Sequence, residues 1–118
     1  MITVYGIRNC DTVKRARQRL DAAGIGYRFH DFKVDGLDET RARGWIDVLG
    51  ADAVLNRRGT SWRQLDAVGQ ARASTDLAGL LAANPSLVKR PLFERDGALR
   101  IGFAVADEAA ILAWLQAG

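Results

Sequence analysis

The residue with the clearest chemical potential is Cys10, the only cysteine among 118 residues. A short apolar strand before it runs into Gly6, and apolar residues at helical spacing begin after it at Val13. Cys10 is therefore expected where a strand ends and a helix begins. The unpaired N–H groups and partial positive charge of a helix N-terminus stabilise a thiolate over a thiol. This predicts a reactive thiol, although a lone cysteine is more commonly a small buried apolar residue.

The flanking residues carry positive charge and side chains that cap helices. Arg8 and Lys14 lie within four residues of the cysteine and would add to the field that favours a thiolate. Asp11 and Thr12 are residue types found at helix N-caps. We expect Thr12 mainly to cap the first helix, although its hydroxyl could instead donate a hydrogen bond to the thiolate.

The order of the predicted elements is β-α-β, then a block of helices, then β-β-α. Their ranges are strand 2–5, a helix over 11–23, strand 27–34, helices between 38 and 84, strands 92–95 and 98–103, and helix 107–116. Asp96-Gly97 between the last two strands is a strong hairpin signal. This order predicts one α/β domain over residues 1–118. Its fold is thioredoxin-like, with a mixed four-stranded sheet and a helical insertion at about 38–84.

The amino-acid composition limits the classes of protein to which the chain can belong. A content of 48% hydrophobic and 26% charged residues is that of a globular domain. The net charge of +3 is spread along the chain, whereas nucleic-acid binding needs a concentrated basic patch. One cysteine excludes an internal disulfide and fits a reducing compartment. No run approaches the roughly 20 apolar residues that span a bilayer. We expect a cytoplasmic protein that binds neither nucleic acid nor membranes.

Four segments carry a resemblance to a known family. They are 5–12 (YGIRNCDT), 56–63 (NRRGTSWR), 87–92 (LVKRPL) and 101–103 (IGF). The sequence resembles the ArsC/Spx family, and most of all its small YffB-type branch. The resemblance implies a thiol reductase of the arsenate reductase type. Cys10 would be its nucleophile, and glutathione, together with glutaredoxin, would release the oxidised cysteine.

The resemblance also implies the other residues of the site. Arg90 matches one of the family arginines that hold the oxyanion and the thiolate, and Arg58 matches another, with Arg57 as the alternative one residue away. Gly102 stands where the family has its third arginine, which argues against arsenate reduction. A proline that opens the third strand of thioredoxin-like proteins is usually cis and faces the cysteine. The residues expected to bind substrate or glutathione are Asn9, Thr12, Arg58, Arg90 and Pro91.

Three functions stay open at this point. The first is a glutathione-dependent thiol–disulfide oxidoreductase, in which arginine side chains bind the carboxylates of glutathione through paired hydrogen bonds. The second is an Spx-like protein that binds RNA polymerase, with the helical insertion as its partner surface. Val13 replaces the second cysteine of the Spx branch, which excludes an internal redox switch. The third is arsenate reduction.

No bound cofactor or metal is expected. The chain has one histidine, His30, and one cysteine, too few for a structural zinc site. His30 could act as a base, but its position in the middle of a strand favours a structural role. Glutathione is then a co-substrate and not a resident group.

Overall fold

The computed structural model describes residues 1–117, which divide into two compact units. The sheet unit comprises Met1–Asp31 and the chain from Arg90 onward, and the helical unit comprises Phe32–Lys89. The sheet unit contains β1 (Ile2–Gly6), α1 (Asp11–Ala22), β2 (Arg28–Asp31), β3 (Leu92–Arg95), β4 (Ala98–Ile101) and α8 (Glu108–Gln116). The helical unit contains α2 (Phe32–Asp35), α3 (Glu39–Leu49), α4 (Ala51–Val54), α5 (Thr60–Arg63), α6 (Ala67–Thr75) and α7 (Leu77–Ala83).

Within the described residues the strands form one mixed sheet in the order β2-β1-β3-β4. β1 is parallel to β2, while β3 is antiparallel to both β1 and β4. The predicted α/β class and mixed four-stranded sheet are confirmed. The register pairs Gly6 with Asp31, so the carboxyl ends of β1 and β2 meet at the same edge. The chain leaves β1 at that edge and turns toward Cys10.

The core of the sheet unit forms where α1 and α8 pack against the sheet. The spacing of apolar residues in α1 buries Ala16 and Leu20, which join Val4 of β1 and Phe93 of β3 in one cluster. The Phe93 ring lies 6.0 Å from that of Phe103. Burial stabilises the fold by about 1.5–3 kcal/mol for each large apolar side chain. This packing holds β1 and α1, the two elements on either side of Cys10.

The hairpin between β3 and β4 is built as its sequence predicts. Asp96 has φ 49° and Gly97 has φ 85°. A two-residue turn with positive φ at both positions matches the twist of the flanking strands. The return strand is shorter than the predicted 98–103, because Gly102 has φ 89° and takes the chain out of the sheet after Ile101.

In the helical unit the packing centres on α3 and α7. Trp45 of α3 is buried, and its ring lies 6.1 Å from that of Phe32. Asp38 caps α3 by accepting a hydrogen bond from the Arg41 N–H at 2.7 Å. A bridge between Leu55 and Val88 ties the end of α4 to the chain that leaves the unit. The predicted block of helices is confirmed.

The predicted strand over 27–34 is wrong in its second half. β2 ends at Asp31, and Phe32–Asp35 is a single helical turn closed by a bond from the Gly36 N–H to the Phe32 carbonyl at 3.1 Å. Alternating aromatic residues favour a strand locally, but β1 ends at Gly6 and offers β2 no partner beyond Asp31. Within the predicted block of helices, Trp62 and Val68 lie in two separate helices, α5 and α6.

Asp76 caps α7, and its negative charge contributes to the stability of the fold. Its carboxylate accepts hydrogen bonds from Arg72 Nη2 at 2.9 Å and from the Gly79 N–H at 3.2 Å. The Arg72 hydrogen bond, followed by that of Gly79, lowers the pKa of Asp76. A carboxylate with a lowered folded pKa stabilises the fold above its unfolded pKa of about 4, and that stability is lost as the pH falls through the folded pKa.

The substitution Asp76→Asn keeps a capping side chain but removes the charge. We expect a lower melting temperature than the parent at neutral pH, and the two melting temperatures should converge in acid. Thermal unfolding followed by circular dichroism at both pH values measures the difference. A difference that is the same at neutral and acid pH would contradict this role for the charge.

Within the part of the chain that the structure describes, no helix has the length and apolarity to cross a membrane. The assignment of residues 1–118 to a single domain stays a prediction. Its last residue, Gly118, lies outside the described residues.

Candidate thiol site

Cys10 is the N-cap residue of α1. Its backbone is extended, with φ −133° and ψ 122°, and its carbonyl accepts the bond from the Lys14 N–H at 2.9 Å that opens the helix. The side chain is a free thiol of intermediate exposure and makes no capping hydrogen bond. The prediction that Thr12 caps the helix is wrong, because Thr12 already lies inside its first turn. Cys10 thus stands at the position where the side-chain oxygen of an N-cap residue would normally accept a hydrogen bond from the helix.

The end of β1 packs tightly against the start of α1. A Cβ built on Gly6 would lie 2.7 Å from Cγ2 of Val13, closer than real Cβ contacts. Gly6 is buried, and so is Val13. The turn 7–10 therefore starts and ends in fixed places, which limits where the sulfur of Cys10 can lie.

We expect Gly6→Ala to lower the free energy of unfolding by about 1–3 kcal/mol, since the added methyl group overpacks the contact with Val13. Urea unfolding of both proteins measures the change. Gly26→Ala is the matched control, because nothing lies within 4 Å of the Cβ built there and its φ is ordinary. Equal effects of the two substitutions would contradict the close approach.

Arg8 pairs with Asp31 at the edge where β1 and β2 end. Arg8 Nε lies 3.2 Å from Asp31 Oδ2, and the Arg8 guanidinium lies 5.5 Å from the centre of the Phe29 ring. The side chain of Asp31 is 6% exposed, against 68% for Arg8. Asp31 is not among the residues that the sequence predicts for this edge. The alternation of β2 places Asp31 on the same face as Phe29. Because that face packs inward, the alternation is the sequence signal that indicates the burial of Asp31.

Arg90 and Pro91 lie immediately before β3. The peptide bond between them is cis, as the resemblance implied. Pro91 is buried, and its carbonyl accepts a hydrogen bond from the Gly102 N–H at 2.8 Å. The positive φ of Gly102 is a conformation that an arginine rarely adopts. The backbone itself therefore disfavours the family's third arginine at this position.

The structure assigns the predicted residues to both units. Asn9, Cys10, Thr12, Arg90 and Pro91 belong to the sheet unit, Asn9 lying exposed in the turn before Cys10. Arg58 belongs to the helical unit.

Within the helical unit, Arg57 and Arg58 have different surroundings. Arg57 Nη1 lies 2.9 Å from Asp52 Oδ1. The Arg58 N–H donates to Asn56 Oδ1 at 3.1 Å, and its guanidinium makes no ion pair with any residue of the described chain. Both arginines line a cavity of about 320 Å³, which also includes Lys89. Of these two side chains, Arg57 is the one that pairs with a carboxylate. The choice between Arg57 and Arg58 as the site arginine stays open.

Two further features limit the chemistry of the site. Among residues 1–117, no three histidine, cysteine, aspartate or glutamate side chains come together as a group that could hold a metal ion. His30 lies within β2, with its ring 4.9 Å from the ring of Tyr5. The thiol of Cys10 is thus the nucleophilic group that the described sheet unit offers at this edge.

Residues 5–111 match the model of the ArsC family, which is most of the chain. The chain belongs to the ArsC family. An uncharacterised protein from Haemophilus influenzae is 45% identical over 104 residues, covering 87% of this chain and 91% of the relative. The global transcriptional regulator Spx of Streptococcus pyogenes is 24% identical over 105 residues, covering 87% and 78% respectively.

Solved structures agree with this assignment and with the thioredoxin-like fold. A YffB protein is 40% identical, with a TM-score of 0.85 over 93% of this chain and 97% of its own. An arsenate reductase (ArsC) related protein from Brucella melitensis is 42% identical, with a TM-score of 0.74 over 94% and 93%. The predicted membership of the ArsC/Spx family is confirmed.

Proposed function

We propose that this ArsC-family chain is a glutathione-dependent thiol–disulfide oxidoreductase in which Cys10 is the nucleophile. The observation that carries the proposal is the placement of a partly exposed free thiol at the N-cap of α1. Helix N-termini favour thiolates, and the thiolate is the reactive form. The similarity to an arsenate reductase related protein supports a reductase of this general kind.

The reaction is a series of thiol–disulfide exchanges, each of which forms one sulfur–sulfur bond and breaks another. The Cys10 thiolate attacks one sulfur of a substrate disulfide, forms a mixed disulfide and releases the other sulfur as a thiolate. The chain has no second cysteine to resolve this intermediate, so an external thiol must do so. One glutathione displaces the second substrate sulfur and leaves Cys10 glutathionylated. Another glutathione attacks that adduct, releases glutathione disulfide and restores the Cys10 thiolate.

Arginines would hold the anionic groups of glutathione and oppose the negative charge of the exchanging sulfurs. Arg90 is half-buried directly before cis-Pro91 in the sheet unit. Arg58 belongs to the helical unit and makes no ion pair among the described residues. Their planar forks suit carboxylates, which bind through two parallel hydrogen bonds. We propose Arg90 as a binding residue, together with Asn9 and Thr12 beside the thiol. The binding role of Arg58 stays a prediction from the resemblance.

Intact-protein mass spectrometry tests the proposal. After incubation with glutathione disulfide, the parent should carry one glutathione, which excess reduced glutathione then removes. Cys10→Ser should carry none. An unmodified parent under conditions in which free cysteine is glutathionylated would overturn the proposal.

A second candidate is a protein that binds RNA polymerase, supported by the similarity to the transcriptional regulator Spx. Three of the five exposed large apolar residues in the described part of the chain, Val34, Val48 and Val68, lie in the helical unit, where a partner could bind. The other two, Met1 and Val105, lie in the sheet unit. Purified RNA polymerase retained equally by the parent and by Cys10→Ser would favour this role. Failure of both proteins to retain the polymerase would reject it.

Arsenate reduction is the less well supported of the two enzymatic functions. Gly102 occupies the place of the third family arginine, in a conformation that favours glycine. Arsenate supplied with glutathione and glutaredoxin is therefore expected to be reduced slowly if at all. Efficient arsenate turnover would show that the third arginine is dispensable.

A further inference from the structure

A cavity of about 470 Å³ lies at the end of the sheet where β1 begins. Its lining residues all belong to the sheet unit and come from β1, β2, β3 and α8 and from the chain beside them. β1 starts here at Ile2 and ends at Gly6, so the cavity and the turn that carries the thiol lie at opposite ends of this strand. Sites for small molecules have volumes of about 300–1,000 Å³, so the cavity is large enough to hold a ligand of its own.

The apolar wall of the cavity is the edge of the core. Leu115 of α8 belongs to the buried cluster, and Ile2 and Tyr27 pack against that cluster while they remain partly exposed. The Tyr27 hydroxyl accepts a hydrogen bond from Arg17 Nε at 3.2 Å, which limits the movement of the ring. An apolar group bound in the cavity would extend the core and would itself be removed from water.

The charged residues that line the cavity carry an excess of positive charge. The N-terminal ammonium group of Met1 lies 3.3 Å from Asp96 Oδ1, so these two charges offset each other. Arg28 and Arg95 also line the cavity, and neither pairs with a carboxylate among residues 1–117. The cavity therefore offers two guanidinium groups to an anion.

Arg95 stands at a position of β3 where an apolar residue would be expected. Side chains alternate along a strand, so Arg95 lies on the same face as Phe93, which is fully buried. Its partner in register is Ile2 of β1. The aliphatic stem of this half-buried arginine can cover the edge of the core, but its guanidinium gains no partner from residues 1–117. The charged end of Arg95 is therefore available to a ligand.

We propose that this cavity binds a medium-chain carboxylate. Its apolar chain would lie against Ile2, Tyr27 and Leu115, where burial of each methylene group favours binding. Its head group would be bound by Arg28 and Arg95, because the planar fork of an arginine binds a carboxylate through two parallel hydrogen bonds. The site is separate from the thiol, so the inference does not depend on the proposed oxidoreductase activity.

Isothermal titration calorimetry of the full chain with sodium octanoate tests the proposal. The parent should bind one octanoate per chain. Octanol has the apolar chain without the charge, and acetate has the charge without the chain, so each should bind at least about tenfold more weakly. The absence of saturable octanoate binding, or equally tight binding of octanol or acetate, would overturn the proposal.

Variants of the two arginines test the head-group contacts. Arg28→Gln and Arg95→Gln should each weaken octanoate binding by about tenfold. Arg100→Gln is the matched control: it removes the same charge, but Arg100 does not line the cavity, and its guanidinium lies 5.7 Å from the centre of the Trp114 ring. Losses in the first two variants no larger than that in Arg100→Gln would indicate an effect of net charge and would overturn the proposal.

Amide chemical shifts measured by NMR locate the bound ligand. Octanoate should shift the amide signals of Ile2, Tyr27, Arg28 and Arg95, and Cys10→Ser should bind octanoate as tightly as the parent. Shifts confined to residues 7–14 would place octanoate at the thiol and overturn the proposal. These measurements use neither glutathione nor a disulfide, so their failure would leave the oxidoreductase proposal standing, and an inactive thiol would leave the carboxylate site standing.

Discussion

Cys10→Ser should abolish disulfide reduction and at the same time produce a slightly more stable protein. The nucleophile is lost, so glutathione-dependent turnover should fall by about a thousandfold or more, to background. Serine is a preferred N-cap residue, and its hydroxyl can accept the hydrogen bond that the Cys10 side chain does not make. We therefore expect the free energy of unfolding to rise by about 0.5–1 kcal/mol.

Opposite effects on activity and stability would have a specific meaning. A cysteine kept at an N-cap, where serine stabilises the helix better, is placed for chemistry and not for folding. Reduction of a small mixed disulfide by glutathione measures activity, and urea unfolding measures stability. An active Cys10→Ser variant would reject the nucleophile. A variant destabilised by several kcal/mol would indicate that Cys10 is a packing residue.

Arg90→Gln should weaken the binding of glutathione. Loss of a charge-assisted pair of hydrogen bonds costs about 1.5–3 kcal/mol, which corresponds to a reduction of roughly tenfold to a hundredfold in kcat/KM for glutathione. We expect most of the loss in KM, because the arginine binds carboxylates that do not change during the exchange. Steady-state rates at varied glutathione concentrations separate the two parameters.

Arg95→Gln provides the matched control. Arg90 precedes β3 and Arg95 ends it, so the two arginines lie at opposite ends of the same strand. Replacement of Arg95 should leave the KM for glutathione unchanged. A similar loss in both variants would indicate a general effect of net charge on the anionic substrate, and would argue against a specific role for Arg90.

The parts of the fold that the sequence predicts are those fixed by local chemistry. Asp96-Gly97 gives the hairpin because its residues tolerate positive φ. Asp38 and Asp76 cap the helices that they precede. The placement of Cys10 between β1 and α1 likewise follows from adjacent apolar patterns.

Features decided by distant parts of the chain are harder to predict. Phe32 continues the alternation of β2, yet it is helical because β1 ends at Gly6 and leaves no strand to pair with. Thr12 has a capping side chain, but the helix starts one residue after Cys10 and makes the cysteine the N-cap. The burial of Asp31 depends on the register of β2 against β1, which local sequence does not specify.

The rate of Cys10 alkylation by iodoacetamide tests the central claim most directly. Iodoacetamide reacts with the thiolate, which is the reactive form of the thiol. At neutral pH we predict that the folded protein is modified faster than free glutathione under the same conditions. A rate equal to or below that of glutathione, or a sulfur that reacts only after unfolding, would contradict the account.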